Sequence, residues 1–203
     1  SVTMGRHDLP WDNQKRMEVI HIGEFVASRE PMVITTFLGS CVAVCLFDQE
    51  KKIGGMNHIL VPGKASFRDF NVEARFGINA MELLINALMK LGASRACLKA
   101  KVFGGAQVIP SDSLRETMGR KNADFVLEFL DRENIPLVCK DLGGLESRRI
   151  FFHTDTAQVF LKRGQTLASR RLVQMERKKL RVLQEKIDKP GEITWFDHGH
   201  QKE

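Results

Sequence analysis

Long apolar runs are missing: no uninterrupted stretch approaches the roughly 18 residues of a membrane-spanning helix. The opening SVTMGRHDLPWDNQKR also lacks the apolar region of a secretory signal, so a cytoplasmic location is expected. Cysteine is scarce. The four present, Cys41, Cys45, Cys97 and Cys139, form none of the CxxC pairs that a structural zinc site uses. In a reducing compartment each is then a free thiol, either a small core residue or a nucleophile. His198 and His200 in the tail make an incomplete metal site, so neither metal nor cofactor is expected. Gly104-Gly105 and Gly143-Gly144 lack the spacing and the Lys-Ser/Thr ending of a phosphate loop and read as turns. No repeat recurs at any period between roughly 20 and 50 residues, which excludes a solenoid.

What remains is an ordinary globular balance. With 43% hydrophobic and 28% charged residues, a wholly disordered or collagen-like chain is excluded, and 203 residues suit one well-buried domain. Of the net charge of +6, residues 165–190 supply +5, from eight basic and three acidic residues. Any electrostatic partner is therefore read by the C-terminal segment, and the near-neutral remainder argues against a nucleic-acid binder.

MEVIHIGEFVAS and PMVITTFLG read as strands, and CVAVCLFD as a buried strand. After the polar turn DQEKK, KIGGMNHILVPG resumes an extended pattern, with Gly54-Gly55 suggesting a close backbone approach. Met81, Leu84, Ile85 and Leu88 stand at helical spacing between about Glu73 and Leu91, with Gly92 as the stop. CLKAKVFGGAQVI gives another strand, and Ala123, Val126, Leu127 and Leu130 a second helix from near Gly119 to near Asn134. PLVCKDLGG is a strand, and RRIFFHTDTAQVFLKRG a pair of strands turning at Thr154-Asp155. Residues 165–188 form a basic helix with a thin apolar stripe, Leu180, Leu183 and Ile187, stopped by Pro190-Gly191. The fold class is mixed α/β. Residues 1–16 form an arm carrying Pro10 and Trp11, residues 17–164 a core, and residues 165–203 a basic helical extension and tail.

The densest cluster of unusual features runs from Thr35 to His58. Gly39 and Ser40 precede Cys41, and a glycine there lets backbone N–H groups gather near the sulfur, where an oxyanion could be held. His58 lies 17 residues on, across one polar turn, so an antiparallel return brings it to Cys41, where it would lower the thiol pKa by forming an ion pair. The hydroxyl of Thr35 or Thr36, or a carbonyl, would fix the imidazole tautomer. On pattern alone Cys41 is more often a small core residue and His58 a hydrogen-bonded, partly buried histidine. Cys45 shares the face of Cys41 but has uniformly apolar flanks and reads as core.

These residues closely resemble the CheD family of bacterial chemoreceptor glutamine deamidases. TTFLGSCVAVCLFD, IGGMNHILVPG, RFGINAMELLINALMKLGA, AKVFGGAQ, GRKNADFVLEFL and DLGGLESRRIFFHTDTAQVFLKR stand in the family's order over residues 17 to 164. The resemblance implies a fold similar to toxin deamidases of the cytotoxic necrotizing factor type, with packed mixed sheets and helices outside. It implies Cys41 as nucleophile, His58 as base and, as third member, the threonine six residues before the cysteine, Thr35 rather than Thr36. The implied activity is hydrolysis of receptor glutamine side chains through a thioester, and in some members of receptor methyl esters too. Chemoreceptors are the implied partners, and a CheC-type phosphatase in some bacteria. A receptor- or phosphatase-binding adaptor with little catalysis is the main alternative, and a general cysteine protease a weaker one. The basic helix lies outside the resemblance; it is either a solvated charged helix or a device that steers the protein to acidic receptor helices or an anionic membrane surface.

Overall fold

A computed structural model describes residues 14–107, 117–164 and 166–188, apart from the side chains of 166–170. The readings on Trp11, Pro190-Gly191 and His198-Gly199-His200 fall outside these residues. The strands are β1 (Arg16–Val19), β2 (Phe25–Ser28), β3 (Met32–Leu38), β4 (Val42–Asp48), β5 (Ile53–Ile59), β6 (Lys99–Gly104), β7 (Leu137–Leu142), β8 (Arg148–His153) and β9 (Val159–Arg163). The helices are α1 (Val72–Lys90), α2 (Met118–Arg132) and α3 (Thr166–Asp188).

Two mixed sheets result, one in the order β1-β3-β8-β9 and the other β2-β5-β4-β6-β7. Strand alternation assigns the two faces of the second sheet. Val42, Val44 and Leu46 join Met81, Leu84 and Leu88 of α1 and Val126, Phe129 and Leu130 of α2 in one core. Cys41, Ala43, Cys45, Phe47 and Met56 point the other way, against Ile34, Leu38, Ile150 and Phe152 of the first sheet. β4 is buried along its whole length, which explains its run of apolar residues without polar alternation. Both central helices begin on side-chain caps, Asn71 accepting from the Ala74 N–H and Thr117 from the Arg120 N–H.

The mixed α/β architecture agrees with the sequence reading, and two details differ. MEVIHIGEFVAS is not one strand: it divides into β1, parallel to β3, and β2, antiparallel to β5, so the chain passes from one sheet to the other around Gly23. The close approach read at Gly54-Gly55 is present, since a Cβ on Gly54 would stand 2.6 Å from the Thr154 carbonyl oxygen.

The second difference concerns α3, which does not stand off as a solvated helix. Val173, Glu176 and Leu183 are buried, and Leu180 and Leu183 pack on the core between the sheets. Positions 173, 176, 180, 183 and 187 follow a three-four spacing, which places them on one helix face. The basic residues Arg171, Arg177, Lys178, Arg181 and Lys186 are exposed.

Candidate active site

The antiparallel hairpin of β4 and β5 sets His58 opposite Ala43, two residues beyond Cys41. His58 and Cys41 both face the space between the sheets. The sulfur of Cys41, a ring nitrogen of His58 and a carboxylate oxygen of Glu176 lie within 4.8 Å of one another, and all three residues are buried.

The tautomer of His58 follows from its neighbours. Thr36 Oγ1 stands 2.7 Å from the Ile20 carbonyl oxygen, which only accepts, so the single hydroxyl proton is committed there. The same oxygen lies 2.8 Å from His58 Nδ1 and must accept from it. The proton is thus on Nδ1, and Nε2 carries a lone pair. Among the described residues that buried Nε2 has no hydrogen-bond partner. Burial, followed by the nearby His21, pushes the His58 pKa down to about 3, so the ring is neutral at physiological pH.

Thr36 contacts His58 and Thr35 does not, whereas the resemblance implies Thr35 as the third member. Adjacent strand residues point to opposite faces. Thr36 shares a face with Ile34 and Leu38, which belong to the core between the sheets. Thr35 points to the outer face, where its Oγ1 accepts from Arg149 Nε at 3.3 Å. The Arg149 guanidinium also lies 4.7 Å from the ring centres of both Phe37 and Phe151, so it covers Thr35.

A cradle of peptide N–H groups completes the site. The N–H groups of Gly39 and Cys41 donate to Glu176 Oε1 at 3.0 and 3.2 Å, and that of Ser40 donates to Oε2 at 2.9 Å. The Ser40 hydroxyl adds a bond of 2.5 Å to Oε2. The three carbonyls of the same residues are tied elsewhere, which fixes the direction of the loop. Ala106 N–H donates to Gly39 O at 2.8 Å, Gly105 N–H to Cys41 O at 2.9 Å and Asn122 Nδ2 to Ser40 O at 2.9 Å. Asn122, fully buried on α2, also accepts from the Val61 N–H at 2.9 Å. Gly104 is required in this arrangement: its φ is 112°, and a Cβ would stand 2.2 Å from the Cys41 carbonyl oxygen. The glycine pair read as a plain turn is therefore the support of the cysteine loop.

The thiol is not held as a thiolate in this state. Burial and then the charge of Glu176 push the Cys41 pKa well up, the reverse of the ion pair read from the sequence. Cys45, equally buried, is also shifted upward, first by burial. It joins the core as expected, while Cys97 and Cys139 are exposed.

Two contributors escaped the sequence reading, Asn122 and Glu176. Glu176 had a visible signal, since it is the one acid on the apolar stripe of α3, four residues before Leu180. Asn122 had none beyond being polar on the buried side of α2.

A family model described as CheD chemotactic sensory transduction matches residues 60–163. The chain is 40% identical over 177 residues to a probable chemoreceptor glutamine deamidase CheD 1 of Shewanella oneidensis, covering 86% of this chain and 84% of that protein. A probable chemoreceptor glutamine deamidase CheD of Vibrio vulnificus is 36% identical over 197 residues, with 92% and 90% covered. That of Thiobacillus denitrificans is 42% identical over 156 residues, with 76% and 77% covered. With its fold, its buried cysteine and histidine and relatives spanning most of its length, this chain belongs to the CheD family.

Proposed function

We propose that the protein is a cysteine hydrolase that deamidates glutamine side chains of chemoreceptors in the cytoplasm. The observation that carries this reading is the free lone pair of His58 Nε2, held by Thr36 beside Cys41 and next to three converging N–H groups. That set supplies a base, a nucleophile and an oxyanion site in one place. The names of the relatives supply the substrate.

In the proposed reaction, His58 Nε2 takes the Cys41 proton as the sulfur attacks the glutamine Cδ. The oxygen that becomes negative is received by the N–H groups of Gly39, Ser40 and Cys41. The imidazolium then protonates the leaving nitrogen, ammonia departs and a thioester remains. His58 next takes a proton from water, whose oxygen attacks the thioester; the sulfur leaves and recovers the proton, and glutamate is released. Thr36 acts throughout by holding the ring, and its oxygen accepts more strongly charged N–H when the imidazolium forms. A glutamyl methyl ester presents the same carbonyl with methanol as leaving group, so its hydrolysis is within reach of the same atoms.

The test is intact-mass analysis of a receptor cytoplasmic fragment after incubation with wild type or with Cys41→Ala. Each glutamine converted adds about one dalton, and the gain requires the activated thiol. Gains mapped to glutamines and absent with Cys41→Ala are the expected result. No gain on any cognate receptor with wild type would overturn the reading.

A further inference from the structure

The carboxylate in the N–H cradle belongs to the protein itself. Glu176 is fully buried, and among the described residues no lysine or arginine forms an ion pair with it. A buried charge of this kind needs hydrogen bonds in place of water. It finds them in three peptide N–H groups and the Ser40 hydroxyl. The carboxylate presses so closely on the loop that a Cβ on Gly39 would stand 2.9 Å from Oε1. It also sits on the helix face whose other inward residues, Val173, Leu180 and Leu183, are apolar. An aliphatic residue would suit that apolar face but would leave the three N–H groups without a partner, so the glutamate answers the cradle and not the helix face.

Deamidation of glutamine yields a glutamate side chain, and the product leaves its carboxylate where the oxyanion had been held. Glu176 is a glutamate side chain with both oxygens in that place, beside the sulfur and the base. Resting on the functional reading above, we propose that α3 is a tethered product analogue. It closes the site, and it presents a glutamyl side chain from one face of an α-helix, as a substrate helix would leave its product. A substrate helix must displace α3 to reach Cys41, which has no solvent exposure beneath it.

A direct consequence is that a glutamine at position 176 is a substrate in cis. In Glu176→Gln the Cys41 sulfur forms a bond to Cδ, and the Cδ–N bond breaks. The thiol proton passes through His58 to the departing ammonia. Water then gives its hydroxyl to Cδ and its proton to the sulfur, restoring Glu176. Gln174, two residues away and exposed, is not in the cradle and serves as an internal control.

The experiment compares purified full-length Glu176→Gln with Glu176→Gln/Cys41→Ala by intact mass and by fragmentation of the peptide containing positions 174 and 176. Wild type is assayed on a receptor fragment in parallel. Expected is glutamate at position 176 only where Cys41 is present, a gain of about one dalton, with Gln174 unchanged in both. Glutamine persisting at 176 in a folded chain with Cys41 intact, while wild type deamidates the receptor, would overturn the proposal and leave the functional reading standing. Failure of both reactions would overturn both. A second variant, Glu176→Ala, removes the occupant: iodoacetamide labelling of Cys41, followed by peptide mapping, is expected to accelerate at least about tenfold over wild type, as exposure of a buried thiol requires. An unchanged labelling rate would show that α3 does not close the site.

Discussion

Replacing Thr36 by valine keeps the shape of the side chain and removes only its oxygen. Two buried bonds are lost, the one accepted from His58 Nδ1 at 2.8 Å and the one donated to Ile20 O at 2.7 Å. Each group left unpaired costs about 1–3 kcal/mol. Most of the Ile20 share falls on stability, whereas the His58 share falls on chemistry, because nothing then keeps the proton on Nδ1 and the lone pair on Nε2. A loss of roughly 1.4–2.8 kcal/mol of transition-state stabilisation lowers kcat about 10- to 100-fold. The assay is the initial rate of receptor-fragment deamidation by mass, with urea unfolding to confirm that the variant is folded at the assay temperature. Thr35→Val is the comparison. Among the described residues its oxygen meets only Arg149 Nε, at 3.3 Å on the outer face, so stability is expected to fall by about 1 kcal/mol with kcat essentially unchanged. If Thr35→Val lost kcat and a folded Thr36→Val kept it, the assignment of Thr36 as the residue that orients His58 would be wrong.

Three further outcomes are expected. His58 has a folded pKa of about 3 against an ordinary value of 6.5, so between those values the unfolded chain binds a proton that the native one does not. Stability therefore rises with pH across that window, and the His58 contribution lost between pH 7 and pH 5 is about 2 kcal/mol; urea unfolding of wild type and His58→Gln at both pH values should show the dependence weakened in the variant. Gly104→Ala places a Cβ 2.2 Å from the Cys41 carbonyl at a φ of 112°. It should cost at least about 1–3 kcal/mol of stability by urea unfolding, with deamidation falling further than the folded fraction. Asn122→Ala leaves the Ser40 carbonyl and Val61 N–H without partners. A stability loss of roughly 2–4 kcal/mol should accompany a drop in kcat rather than a rise in KM, as the proposed oxyanion role of the cradle requires.

Much of this was legible in the residues, and the exceptions have physical reasons. α1 declares itself because its one buried face repeats at helical spacing and Gly92 follows its last turn. The β4–β5 hairpin declares itself because a short polar turn separates two apolar runs, and that suffices to put His58 near Cys41. The choice between Thr35 and Thr36 was not available from alternation. Val33 and Phe37 flank one face and Ile34 and Leu38 the other, so both faces of β3 look apolar; only the pairing of the sheets shows which one meets His58. The break in MEVIHIGEFVAS was hidden because local pattern marks a strand without saying which sheet receives it. The charge state of His58 depends on total burial, and that of Cys41 on burial and on Glu176, a partner that lies 135 residues from it in the chain. Sequence spacing carries no trace of such a contact.

The fastening of the cysteine loop has a consequence for how the protein comes into being. Ser40 is held in place by Asn122, 82 residues later, and Gly39 and Cys41 by the peptides of Ala106 and Gly105. A growing chain that has emerged only as far as β5 already carries thiol, imidazole and threonine, yet lacks the clamps that aim its amide dipoles. The proposed oxyanion cradle is therefore complete only once α2 has docked. On the proposed mechanism, a chain made or folded only through β5 is expected to be a poor hydrolase of other proteins' glutamines, because its N–H groups are not yet aimed.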